Sequence, residues 1–302
     1  MCMSKPVAIR LQWMRMGVVL SLFLAGPVEA GLELSVSQVE LRKAGLGEGG
    51  WINAERTTLL LEQAWNLPEG GGLGFKLTLE REAWDFGGDH RFGAAPWQSV
   101  EQVVVSMPMR ARLSEGVMLV LLPRLGWAGE DGARAGDART EGFIGAVLKM
   151  FNPHRRLGLG IETVHTLAHA WELAPILIVD WRFDERWRLF NPPELGPAGS
   201  AGLELACLLG PGVELGLGVA ERERNFRLAI DHARAAGGTG KVRQIQGFLH
   251  LSWTASPQVT WSAYAGAVLG GELALRDRAD HRLGRDTINS APVLGISGRL
   301  RF

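Results

Sequence analysis

The sequence predicts an all-β fold, a closed antiparallel transmembrane β-barrel of about fourteen strands, and three observations carry that prediction. Helical periodicity is nearly missing after residue 30, whereas apolar and polar residues alternate with a period of two almost to the last position. Short turns alternate with longer polar or Gly-rich connections, the pattern of bacterial outer-membrane barrels. The chain stops on "GISGRLRF" (Gly295 to Phe302), where Leu294, Ile296, Gly298, Leu300 and Phe302 share one parity and Val293, Ser297, Arg299 and Arg301 the other. A terminal aromatic after such a strand suits the last stave of a barrel.

The front of the chain points to export. Lys5, Arg10 and Arg15 precede an apolar core from Met16 to Gly26, and Val28 to Ala30 presents small residues where a signal peptidase reads. Residues 1–30 are therefore expected to be a cleaved Sec leader and 31–302 the barrel. The core is too short to cross a bilayer as a helix, and no second long apolar run follows. The balance of 32 basic against 32 acidic residues suggests no nucleic-acid partner. Only Cys207 lies beyond the leader, on the parity of Leu203, Leu205 and Leu209, where it reads as a small apolar surface residue. Zinc-ligand spacing, a phosphate-binding Gly loop and a G-x-S-x-G elbow are absent from the sequence, so neither a metal nor a cofactor is expected.

Taken in order, the strands are expected at 32–42, 54–65, 73–81, 102–113, 117–127, 141–151, 155–165, 173–183, 186–191, 200–209, 212–222, 242–253, 258–271 and 292–302. The third shows the pattern plainly: Leu73, Phe75, Leu77 and Leu79 alternate with Gly74, Lys76, Thr78 and Glu80. Most are near the roughly 9–11 residues a tilted strand needs to cross a bilayer. The long connections, 85–97, 129–140, 191–199, 223–241 and 272–291, all fall outside the cell when Phe302 marks the periplasmic end. Twelve strands is the alternative count, with "LELSVSQVELR" (Leu32 to Arg42) as a periplasmic tail.

Aromatic and charged residues then divide between two environments. Trp65, Trp181, Trp187, Trp253, Trp261 and Phe302 fall at periplasmic strand ends, and Trp127 and Trp171 at outer ends, as two interfacial girdles. The opposite parity carries Lys76, Glu80, Glu82, Arg110, Arg112, Arg124, Glu162, Asp180, Arg182, Glu204, Glu214, Arg222, Arg299 and Arg301. A lone Arg or Lys facing lipid near the midplane costs about 2–4 kcal/mol, so these are expected to line the lumen. There they either neutralise one another in ladders across neighbouring strands or form a selectivity filter. With ordinary spacing and tilt, fourteen strands give a backbone radius of about 14 Å and leave a narrow lumen.

Enzymatic signals are weak. Three Asp-His dipeptides, Asp89-His90, Asp231-His232 and Asp280-His281, lie in expected external loops, where an Asp could orient a His as a general base. Adjacent residues in a loop usually point apart, and no Ser-His arrangement of an outer-membrane hydrolase stands out.

Several stretches resemble a family of Gram-negative outer-membrane β-barrels known as a domain of unknown function. They are "AWDFGG" (Ala83 to Gly88), "PW" (Pro96-Trp97), "EGFIGA" (Glu141 to Ala146), "LGLGIE" (Leu157 to Glu162), "APILIVDWRFDERWRLFNP" (Ala174 to Pro192), "YAGAVLGGEL" (Tyr264 to Leu273) and "RLRF" (Arg299 to Phe302). The resemblance implies a barrel in the bacterial outer membrane, supplies no activity, and brings no functional residues with it.

The expected function is a porin-like channel or transporter for small solutes; a closed-lumen structural or surface-interaction barrel is the alternative, and an outer-membrane hydrolase a remote third. Expected partners are outer-membrane lipid and, through the strand ending at Phe302, the barrel-assembly machinery; the oligomeric state is not legible.

Overall fold

Period-two alternation along almost the whole chain leaves one face of every segment apolar, and closure into a ring satisfies all of them at once. The computed structural model describes residues 30–67, 70–165, 167 and 171–302, and the leader expected over 1–30 lies outside them apart from Ala30. Strand segments follow in order: β1 (Ala30–Gly45), β2 (Trp51–Asn66), β3 (Gly72–Gly87), β4 (Ser99–Ser106), β5 (Met109–Ser114), β6 (Val117–Glu130), β7 (Arg139–Asn152) and β8 (Arg155–His165). After them come β9 (Trp171–Arg182), β10 (Trp187–Phe190), β11 (Gly202–Gly210), β12 (Val213–Arg227), β13 (Thr239–Thr254), β14 (Val259–Arg276), β15 (Arg282–Ile288) and β16 (Ala291–Arg301). No α-helix occurs among the described residues.

Two pairs of segments are single staves with a break. Pro108 has no N–H to give the ladder, and β4 and β5 both pair with β3 and β6 on either side of it. Likewise β15 and β16 both pair with β14, separated by Asn289 and Ser290. The ring therefore has fourteen antiparallel staves. Leu32 to Arg42 is part of the first stave, not a tail, because β1 pairs with both β2 and β16. At this seam the Phe302 N–H donates to the Leu32 carbonyl at 2.9 Å, so the ladder runs to the final residue.

The register separates an outward face from an inward one. Outward residues such as Leu159, Leu173, Leu217, Leu249 and Ile296 are all exposed, a continuous apolar surface that water would not tolerate and lipid requires. At the end of the short turns, backbone N–H groups of Trp187 and Arg186 donate to the Asp184 carboxylate and hold it below the usual carboxylate range.

Two expected external loops are shorter than the sequence suggested. The β12–β13 ladder continues to Arg227–Thr239 and the β13–β14 ladder to Thr239–Arg276, which leaves connections of 228–238 and 277–281. The reason is chemical. Lys241 pairs with Glu223 at 2.7 Å, Arg285 with Glu272 at 2.7 Å, and Arg243 with Glu221, a charged collar on the outward face beyond the apolar band. Charge on an outward strand face reads like a loop in one dimension.

Because Leu249 sits in mid-strand on the outward face, Leu249→Arg should lower folding stability in lipid vesicles by about 2–4 kcal/mol, read by urea titration. Arginine at Ile245, the register partner of Glu221 at the edge of the collar, should cost much less.

Candidate functional site

The connection expected outside the cell over 191–199 runs to Ala201 ("NPPELGPAGSA") and instead turns into the barrel. Pro192, Pro193 and Pro197 cannot extend a ladder, so the strand must end at Phe190. Asn191 replaces the missing backbone with its side chain: Val179 N–H donates to its Oδ1 at 2.8 Å, and its Nδ2 donates to the carbonyls of Leu177 and Gly202 at 3.1 and 2.9 Å. This amide stitches β9 to β11 where β10 stops.

From there the segment crosses to the far wall, since the ladder order places β10 and β2 on opposite sides of the ring. Arg56 on β2 donates through Nη2 to the carbonyls of Gly196 and Pro197 at 3.0 and 2.8 Å. Lys76 on β3 is ion-paired with Glu194, and Thr78 Oγ1 lies 3.5 Å from the same carboxylate. Ala198 packs with Ala220, Phe248 and Tyr264 from β12, β13 and β14. Leu195, Pro197 and Ala198 are buried. The segment is a strap across the lumen.

A second obstruction lies on the long-loop side of the strap. Glu80 and Glu82 on β3 meet Arg222 and Arg224 on β12: Arg222 Nη2 to Glu80 at 2.5 Å, Arg224 Nη1 to Glu80 at 2.9 Å and to Glu82 at 2.6 Å. Arg224 Nε also donates to Gln102 Oε1 at 3.2 Å. In a circular barrel these walls would stand about 28 Å apart, twice the expected radius, so contact means the ring is flattened. A backbone bridge between Arg227 of β12 and Gly129 of β6 shows the same collapse. The cause is apolar. Ile52, Trp84, Val100 and Phe226 point inward there and pack with Phe92 and Trp97 from the 88–98 connection, Trp97 standing edge-on to Phe226 at 5.0 Å. The inward parity is thus polar near the short turns and apolar near the long loops, whereas the sequence reading expected one narrow lumen lined by charge throughout.

The cross-strand register places the other charged candidates on the same parity as Lys76 and Glu80. Arg124 reaches over Gly142, where a Cβ would come within 2.9 Å of its Nε, to pair with Glu162 two strands away. Asp180 accepts from Arg188 at 2.8 Å and lies 3.7 Å from Arg156. Arg299 and Arg301 share Glu33 at 3.0 and 2.9 Å. Arg110 donates to Asn66 at 2.5 Å, while Arg112 and Arg182 are exposed and Glu214 is half-buried. Glu204 is completely buried and meets His250 Nδ1 at 2.7 Å across Gly216, where any Cβ would strike its Oε1. His250 in turn stacks on Tyr264 at 4.5 Å. Arg56, which sequence reading missed, is 5 % exposed and belongs to the strap contact. Its signal was an arginine on the buried parity of β2, between Ala54 and Thr58.

Trp171, Trp187, Trp253, Trp261 and Phe302 are exposed at strand ends, and Trp65, Trp127 and Trp181 are half-buried. The Asp-His dipeptides shape loops. His232 Nε2 lies 2.7 Å from the Pro96 carbonyl, His281 is paired with Asp277 at 3.2 Å, and Asp280 with Arg276 at 2.9 Å. His90 stacks obliquely on Phe86.

These features define a closed antiparallel barrel of the bacterial outer-membrane kind, with its interior obstructed at two levels. An outer-membrane channel from Pseudomonas putida F1 has the same fold, at TM-score 0.50 and 12% identity over 92% of this chain and 97% of that one. The P. putida toluene transporter TodX aligns at TM-score 0.43 and 10% identity, over 92% and 91% of the two chains. The translocator domain of the autotransporter NalP from Neisseria meningitidis aligns at 0.30 and 13%, over 94% and 92%. No family model and no curated protein matches the chain.

The cluster of Glu80 yields a test of the collapse. Glu80→Ala leaves two buried guanidinium groups short of a partner and should cost about 3–5 kcal/mol in urea unfolding. Glu221→Ala, which breaks an exposed pair, should cost less than about 1 kcal/mol.

Proposed function

We propose that this protein is an outer-membrane channel for small solutes, held shut by the strap Asn191–Ala201. The observation that carries this reading is the manner of closure. The strap is a loop resting on the opposite wall through an ion pair and two hydrogen bonds to carbonyls, contacts that water can replace. Nearer the short turns the inward faces carry Ser252 and Ser262, and Ser35, Ser37 and Thr58 are buried on the wall formed by β1 and β2, polar groups that a solid structural plug would not need. The exposed tryptophans form girdles at the lipid boundary, and the strand ending at Phe302 engages the assembly machinery.

The structural alternative, a barrel with a permanently closed lumen, is favoured by the apolar packing around Trp97. Planar-bilayer recording separates the two. Wild type should open rarely, and a variant with Pro192–Ser200 replaced by an equally long Gly/Ser stretch should give frequent, stable steps. Silence from both, with the heat-modifiable barrel intact, would favour the structural barrel. Deleting Phe302 should lower the yield of assembled barrel in cells without changing the conductance of molecules that do assemble.

A further inference from the structure

Charge counting in one interior cluster leaves one cation over. Among the described residues, Arg56, Arg222 and Arg224 share the carboxylates of Glu80 and Glu82. Arg222 and Arg224 hold these at 2.5–2.9 Å, whereas Arg56 Nε is 3.9 Å from Glu80 and has no hydrogen-bond partner. The hydrogen bonds that Arg56 makes are to two strap carbonyls. A buried guanidinium is costly unless acceptors meet it, and neutral carbonyls are weak substitutes for the planar, two-oxygen acceptor that its fork fits.

Its neighbours extend the same chemistry. Lys76 is the register partner of Glu62 across β2 and β3, yet it is paired with Glu194 of the strap. Thr78 offers a hydroxyl beside it. A small cavity lined by Arg56, Glu82, Gln244 and Gln246 together with apolar residues such as Val39 and Val293 adjoins the guanidinium, and Gln246 Oε1 also lacks a partner. Glu204, the other acid facing the strap's seat, is taken by His250.

We propose that the strap occupies a binding site for a carboxylate-bearing solute, built from Arg56, Lys76 and Thr78, and that the strap's carbonyls and the Glu194 carboxylate stand in for that solute. When the strap withdraws, Arg56 loses its acceptors and Lys76 its counter-ion. A small mono- or dicarboxylate restores both, so the solute competes with the strap and favours its own passage. This inference rests on the channel reading above.

The test uses the strap-replaced full-length variant with potassium succinate as probe. In planar bilayers under a salt gradient its reversal potential should favour chloride over potassium, and succinate on one side should block the chloride current. Arg56→Gln in the same background should weaken that block by about tenfold or more, the loss of one charged hydrogen-bonding partner. Arg56→Lys, which keeps the charge but not the fork, should retain chloride preference with a weaker block and shows whether the glutamine variant failed merely by misfolding. Calorimetric titration of succinate into the purified variant reads the same site without current. Current that succinate neither blocks nor distinguishes by residue 56, together with no heat of binding, overturns the carboxylate site and leaves the channel standing. Absence of current from a folded barrel that still binds succinate overturns the channel instead.

Discussion

Collapse of the ring onto itself, β12 against β3 and β6, is the constraint from which the rest of the interior follows. The driving force is the burial of Ile52, Trp84, Phe92, Trp97, Phe226 and their neighbours, each large apolar side chain contributing about 1.5–3 kcal/mol when removed from water. The guanidinium–carboxylate cluster beneath them has a different role. Desolvation cancels much of the attraction in a buried ion pair, so Glu80, Glu82, Arg222 and Arg224 add little net stability. Their geometry, however, tolerates only one alignment of β3 with β12. Apolar contact divides the mouth, and charge decides which residues face each other across the division.

Flattening also explains why one loop enters the barrel and another caps it. Once β12 bridges to β6 at Arg227, the mouth is divided, and the packed cluster draws residues from β12 round through β1 to β6 but none from β7 to β11. The strap springs from the second half, between β10 and β11, β10 being the shortest strand of the ring. Arg227 reinforces the division, donating to the carbonyls of Asp137, Gly237 and Leu167 from three separate connections.

Much of this was legible in one dimension. The outward leucines, the strand order, the aromatic strand ends and the final Phe302 all follow from local alternation, because lipid imposes a rule that each strand obeys alone. The interior obeys no such local rule. In β3 the outward face is apolar through Leu79 and charged at Arg81, while the inward face passes from Lys76 and Glu80 to Trp84. In β13 the same exchange lies between Arg243 and Ile245 on one face and between Val242 and His250 on the other. A period-two reading sees alternation persist through both strands and cannot tell that the environments have changed sides.

The strap was hidden for a stronger reason. Its three prolines announce that the sheet stops at Asn191, but inward and outward exits are equivalent to the local sequence. What decides the direction is acceptors for Arg56, a counter-ion for Lys76 and a seat against Tyr264, groups far from the strap in the chain. The surplus cation of the cluster that Arg56, Arg222 and Arg224 form with Glu80 and Glu82 exists with or without the strap, whereas the strap's single carboxylate is paired with Lys76 of the wall. The wall therefore sets the chemistry of the site, and the loop conforms to it.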